Sequence, residues 1–403
     1  MTISKTPRIK SLEGLRGVLA LIVVITHLQQ FFFAQIDSQL SSIFEPLPAP
    51  LAHIINSFFH AFYDGEFAVW TFWIISGLVL SYRYFPLANS NTKAAKKYLL
   101  IAASKRYFRL LVPVLISVLL ALTLFSADLM ANKPLAQHYL NIHSGWEEYA
   151  QWLMNFYNFE PGFFNALKSA TWDTFVHYDS LTTYNPVLWT MEKELFGSLF
   201  LFLFLAILSK FNHTKWLWIS TVFLLTLLRL HWITAFLIGA MISAYLYSSS
   251  FRSLHIEKLS NVLQSPSLVS LFVLALWILI GLPNYLGLAN FVIAPLLITL
   301  TLTSPPLAAL LSSPPLAFLG KISFGLYLGH FLLVTSVSSQ LYLFLIINWP
   351  PHIAAIIVAI LTFISSPAIG WLIYRIGDLP GIKLSNMIGK YLTHHLDKHA
   401  ALA

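Results

Sequence analysis

Apolar runs of about twenty residues recur along the whole chain, broken by short polar stretches. An α-helix rises about 1.5 Å per residue, so a run of that length matches the ~30 Å hydrocarbon layer of a bilayer. Ten such runs are expected to be spans: 17–35, 66–84, 107–127, 190–209, 214–231, 232–248, 267–283, 287–304, 318–345 and 352–376. The pattern predicts an all-α, polytopic integral membrane protein of about ten transmembrane helices. Residues 1–380 read as one membrane-embedded domain and 381–403 as a cytoplasmic tail. The first run follows a basic N-terminus, as a secretory signal would. It is long, contains a histidine and has no small-residue cleavage site, so it reads as an uncleaved span.

Composition removes the soluble alternatives: 57% of residues are apolar and 10% are charged. The chain has no cysteine, which excludes disulfides, thiolate metal sites and a cysteine acyl-enzyme. A net charge of +8 resembles a nucleic-acid signal only until the charges are placed. With the N-terminus in the cytoplasm, twenty of the 24 Lys and Arg residues fall in cytoplasmic segments, including Lys210, Arg252 and Lys258. Only Lys133, Lys168, Lys193 and Arg229 lie outside. Charge bias of this kind sets orientation, so both termini are expected to be cytoplasmic, with membrane lipid rather than nucleic acid as the partner. The expected location is a multi-pass protein of a bacterial inner membrane, a eukaryotic membrane being the alternative.

The long outer segment from about 128 to 188 carries Asp128, Glu147, Glu148, Glu160, Asp173 and Asp179 against two lysines. Its Trp146, Trp152, Phe156, Tyr157, Phe163, Phe164 and Trp172 read either as interfacial helices capping an outward cavity or as surface anchors.

Within the spans, polar residues stand out. In SLEGLRGVLALIVVITHLQQFFF, Arg16 and His27 are eleven residues apart. At 100° per residue that is three turns and a small remainder, so they share a face about 16 Å apart. Glu13 and Gln30 extend this seam. Ionisable residues inside a span cost at least ~2.5 kcal/mol on insertion scales and so mark a functional site; a core histidine bonded to a neighbouring helix is the bland alternative for His27. Ser76-Gly77 in the second span reads as a close helix contact. Lys105, Arg106 and Arg109 stand at the mouth of the third span; they serve either topology and anionic lipid or, for the arginines, bidentate phosphate binding. Glu192 falls in the first turn of the fourth span, where the helix dipole favours an acid. Glu194 lies deeper and requires a partner, either a cation from another helix or a histidine. Ser323, Tyr327 and His330 share a face of the ninth span, and a Tyr–His hydrogen bond joining helices is the plain reading.

These segments together resemble the membrane-bound acyltransferase family 3, whose members transfer acyl groups, often acetyl from acetyl-CoA, to sugars and other acceptors. The likeness spans nearly the whole chain: SLEGLRGVLALIVVITH matches the family's L-D-G-L-R-G and R-x10-H, with Arg16 and His27 in place. FWIISGLVL and KRYFRLLVP follow, then LWTMEKE with Glu194 in the acid position, and LGKISFGLYLGH. Glu13 stands for the usual Asp, Trp70 for an acid and Phe324 for a common Tyr.

The resemblance implies an acyl-CoA-dependent O-acyltransferase, without a metal, acting on a hydroxylated carbohydrate or lipid-linked acceptor. In that reading His27 is the general base, and a histidine's unperturbed pKa near 6.5 suits the task. Arg16 holds the donor or steadies developing charge, and Arg106 and Arg109 bind CoA phosphates, with Lys105 behind them. Glu194 orients the acceptor or pairs with His27, while Glu13, Glu192, Tyr327 and His330 support the site. Two other classes compete: a proton-coupled transporter of a sugar or organic acid, relaying through His27 and Glu194, and a silent scaffold on the same fold.

Overall fold

The computed structural model describes residues 9–34, 36–142, 147–209, 214–247, 263–282 and 288–402. Trp146, Lys210, Arg252 and Lys258 therefore lie outside the described residues. Every element is helical. The principal helices are α1 (Lys10–Phe32), α2 (Gly65–Ser81), α3 (Thr92–Ser126), α4 (Asn132–Ile142), α5 (Glu147–Met154), α6 (Trp189–Leu208), α7 (His231–Tyr247), α8 (Pro314–Leu333), α9 (Pro351–Ile373) and α10 (Leu379–Leu402). Starts follow local chemistry. Asp64 caps α2 by accepting from Phe67 N at 2.8 Å, Asn91 caps α3 by accepting from Ala94 N at 3.0 Å, and prolines open α8 and α9.

Each expected span falls on a helix where it is described. Five described helices are long and apolar enough to cross a membrane, or six if Asn290–Thr303 and Pro305–Leu311, which meet at 94°, count as one. Thr214–Leu227, α7 and Pro266–Ile280 are apolar but shorter. α3 differs from the expected pattern: the basic stretch before the third span is part of the same 35-residue helix. Lys, Arg and Ala are good helix formers, so nothing there ends the helix. The tail is likewise helical, and α10 packs along α3 through Lys97–Asp397 and a 2.9 Å bond from Lys105 Nζ to Asn386.

α1 is central and runs parallel to α8. A Cβ on Gly17 would lie 2.7 Å from Gly320 N, and one on Gly320 would lie 1.9 Å from Glu13 O. Only glycine at both positions lets the two backbones meet, as small residues do in membrane helix pairs. Gly77 meets the Phe236 backbone of α7 in the same way, while its neighbour Ser76 turns to Glu194. Asn185, fully buried, donates to Ser117 Oγ and Leu328 O, both at 2.8 Å, tying α3 and α8 to the turn before α6.

The outer segment folds as α4, α5 and a further helical stretch, Phe163–Lys168, Ser169–Asp173 and Thr174–Val176, joined by turns. Phe163, Phe164 and Trp172 are exposed, as surface anchors would be. Phe156 and Tyr157 are buried, and Phe156 packs edge-on to Phe331 of α8 at 5.4 Å. Trp152 meets Phe31 of α1 at 5.8 Å, and Tyr139 of α4 donates to Phe31 O at 2.6 Å. These rings pack against the far end of the α1–α8 pair.

Candidate active site

A cavity of about 280 Å³ lies where α1, α2, α3, α6 and α8 converge. Arg16, Ser76, Arg106, Arg109, Glu194, Ser323 and Tyr327 supply much of its polar lining, and Phe72, Trp73 and Phe324 much of the apolar part. Of the cations expected to act there, Lys105 is not on the wall.

The acids sort the arginines. Arg106 forms an ion pair with Glu194, and its Nε donates to Ser198 Oγ at 3.1 Å. Glu194 also accepts from Ser76 Oγ at 2.5 Å, so the acid's partners are a cation and a hydroxyl, not His27. Arg109 pairs with Asp378 at 2.5 Å. Among the described residues Arg16 makes no ion pair or hydrogen bond, although the fields of Asp378, Glu194 and Glu13 reach it. Arg106 and Arg109 each have an acid in contact, whereas Arg16 feels its acids only at a distance.

Asp378 went unnoticed in the sequence. It closes the π turn Tyr374–Asp378 between α9 and α10, and such turns break the 3.6-residue period by which a seam is recognised. An acid just beyond the last apolar run was the one signal available.

His27 is half-buried and is not among the cavity-lining residues. Its Nδ1 is 3.2 Å from Nε2 of His330, and the Phe331 ring stands perpendicular to it at 5.0 Å. The side chains of Tyr327 and His330 do not hydrogen-bond to each other. The Tyr327 hydroxyl donates to Val187 O at 2.8 Å and lies 3.0 Å from Thr190 Oγ1. Tyr327 is on the cavity wall and its ring is 5.9 Å from that of His330, so it stands next to the histidine pair. Glu192 is half-buried and off the wall; Glu13 sits at the α1–α8 crossing. No group of three or more His, Asp or Glu among the described residues could hold a metal ion.

The Glu194–Arg106 pair is mostly buried, with 14% and 13% of the side chains exposed. Removing one member of such a pair leaves an uncompensated charge and costs about 3–5 kcal/mol. Glu194→Ala is therefore expected to lower the melting temperature of the purified protein, and Glu194→Gln to lower it less because the bond to Ser76 survives. Equal melting temperatures for both variants and wild type would show that the pair contributes nothing.

No curated protein and no solved structure matches the chain. A family model described as an acyltransferase domain matches residues 9–371, nearly the full length, and so covers every helix that builds the cavity. The chain is an acyltransferase, embedded in a membrane, and belongs to acyltransferase family 3.

Proposed function

We propose that the protein takes an acyl group, acetyl in the simplest case, from acyl-CoA on the cytoplasmic side and transfers it to a hydroxyl of a carbohydrate or lipid-linked acceptor. Both termini face the cytoplasm in this reading, so the Arg16 end of α1 is the donor side, and the membrane is the bacterial inner membrane. Residues 1–380 form the transferase domain and 381–403 the cytoplasmic tail.

The observation that carries the proposal is Arg16: a guanidinium on a cavity wall with no ion pair or hydrogen bond among the described residues, on the same helix and face as His27 and about 16 Å from it. A donor spanning that separation needs an anionic head at one end and a reactive carbonyl at the other, which describes a CoA thioester. Arg16 binds the phosphates, and Arg106 and Arg109 add the N–H donors that their acids leave free. At the other end His27 accepts the proton of the acceptor hydroxyl as that oxygen attacks the thioester carbonyl. The carbonyl–sulfur bond then breaks, the thiolate of CoA takes up a proton, and an ester remains on the acceptor.

The test is transfer of label from acetyl-CoA by membranes containing the protein. Arg16→Ala is expected to raise the donor KM about 10- to 100-fold, the loss of one charged hydrogen-bonding group, with Arg16→Lys in between. Membranes that leave acetyl-CoA and longer acyl-CoA thioesters intact would overturn the proposal, and so would an unchanged donor KM.

A further inference from the structure

We propose that His330 is a positioning residue: it fixes the ring orientation and tautomer of His27, so that His27 holds its proton on Nδ1 and presents Nε2 as the basic nitrogen. The inference rests on the transferase reading only for its consequence in turnover; the tautomer itself follows from geometry.

Each ring has one nitrogen against a carbonyl of its own helix, at i−4. His27 Nδ1 is 3.0 Å from Val23 O, and His330 Nδ1 is 3.0 Å from Leu326 O. A carbonyl oxygen can only accept, so a lone pair aimed at it would be repelled. Both contacts are favourable only if both Nδ1 atoms carry hydrogen. A neutral His330 with its proton on Nδ1 has a lone pair on Nε2, and that is the atom 3.2 Å from His27 Nδ1. The bond therefore runs from His27 Nδ1–H to His330 Nε2, with Val23 O sharing the same hydrogen. The opposite assignment, with His330 Nε2–H donating to a bare His27 Nδ1, puts lone pairs against carbonyls at both ends.

Burial separates the two roles. His330 is 0% exposed, so no substrate atom reaches it. His27 keeps some accessible surface, and Phe331 stands edge-on against its ring. A neutral buried imidazole thus does for His27 what a carboxylate does for the histidine of a hydrolytic triad: it selects the tautomer and holds the ring, and it does so without a charge in the membrane interior. The spacing is set by the glycine contact of α1 with α8 lower in the same helix pair.

Two measurements test this. In wild-type protein in lipid nanodiscs with ring-labelled histidine, assigned by comparison with His27→Ala, the nitrogen-15 shifts of His27 are expected to show a protonated Nδ1 and a bare Nε2 at neutral pH. A protonated Nε2 would overturn the proposal whether or not any activity is found. In kinetics, His330→Leu is expected to lower kcat at least about 100-fold with the donor KM within threefold, because the cavity at Arg16 is untouched. His330→Gln, whose amide oxygen can accept from His27 Nδ1–H, should recover at least a tenth of wild-type kcat. Equal losses in the two variants, or a donor KM that rises with the fall in kcat, would show a packing role instead. If His27→Ala kept full turnover the base assignment would fail, but the nitrogen-15 result would still decide the tautomer.

Discussion

His27→Ala is expected to lose transfer by a factor of about 10² to 10⁴, the range that a positioned acid–base group contributes, while the protein still inserts in the membrane and binds donor. The donor KM should stay close to wild type, since the arginines that would hold the anionic head lie elsewhere, Arg16 three turns away on α1 and Arg106 and Arg109 on α3. The fold should survive because α1 meets α8 through backbone at Gly17 and Gly320, not through the imidazole. Truncation leaves a ring-sized space beside His330 and Phe331. Added imidazole should therefore restore part of the lost rate if proton transfer is the missing function. Normal turnover in the Ala protein would remove the proposed base, and a donor KM raised along with the fall in kcat would move the role of His27 to donor binding.

How far this was legible in the sequence depends on the interaction concerned. Periodicity placed Arg16 and His27 on one face, and Ser323, Tyr327 and His330 on another, because those relations lie within one helix. It could not say which faces meet. Tyr327 and His330 share a stripe yet serve different neighbours: the first ties α8 to Thr190 and Val187, the second meets His27. Glu194 required a cation or a histidine on general grounds, and Arg106 is the partner, from a helix 88 residues away in sequence. Ser76 read as a packing residue because its neighbour Gly77 is one, but its hydroxyl points to Glu194. Asp378 was hidden by the π turn that carries it. Each of the ten apolar runs falls on a helix where described, and five of the described helices, or six with the bent pair, are long and apolar enough to cross by themselves; the meeting of Asn290–Thr303 and Pro305–Leu311 at 94° could not be read from composition. The cavity was the least legible feature. Five helices contribute to its wall, and its lining reaches Arg16 and Tyr327 without including His27.

Gly320→Ala is the smallest change expected to have a large structural effect. The added Cβ would fall 1.9 Å from the carbonyl oxygen of Glu13, a backbone atom that cannot rotate away as a side chain could. The two helices must then separate or shear. Overpacking of this kind costs about 1–3 kcal/mol, and more where backbone must move. The functional loss should exceed what that energy implies, because the displaced helices carry the site: Arg16 and His27 on α1, Ser323, Tyr327 and His330 on α8. A misplacement of about 1 Å can cost about 100-fold in rate. We expect the Ala protein to melt lower than wild type and to lose at least about 100-fold in kcat, with the His27 nitrogen-15 signals shifted as the 3.2 Å contact opens. Gly162→Ala is the control. There the nearest atom to a new Cβ is Asn165 Nδ2 at 3.6 Å, an ordinary contact with a mobile side chain, so stability and rate should match wild type. If Gly320→Ala matched wild type as closely as that control does, α1 and α8 would not be held at backbone contact, and the geometry that brings the two histidines together would have lost its cause.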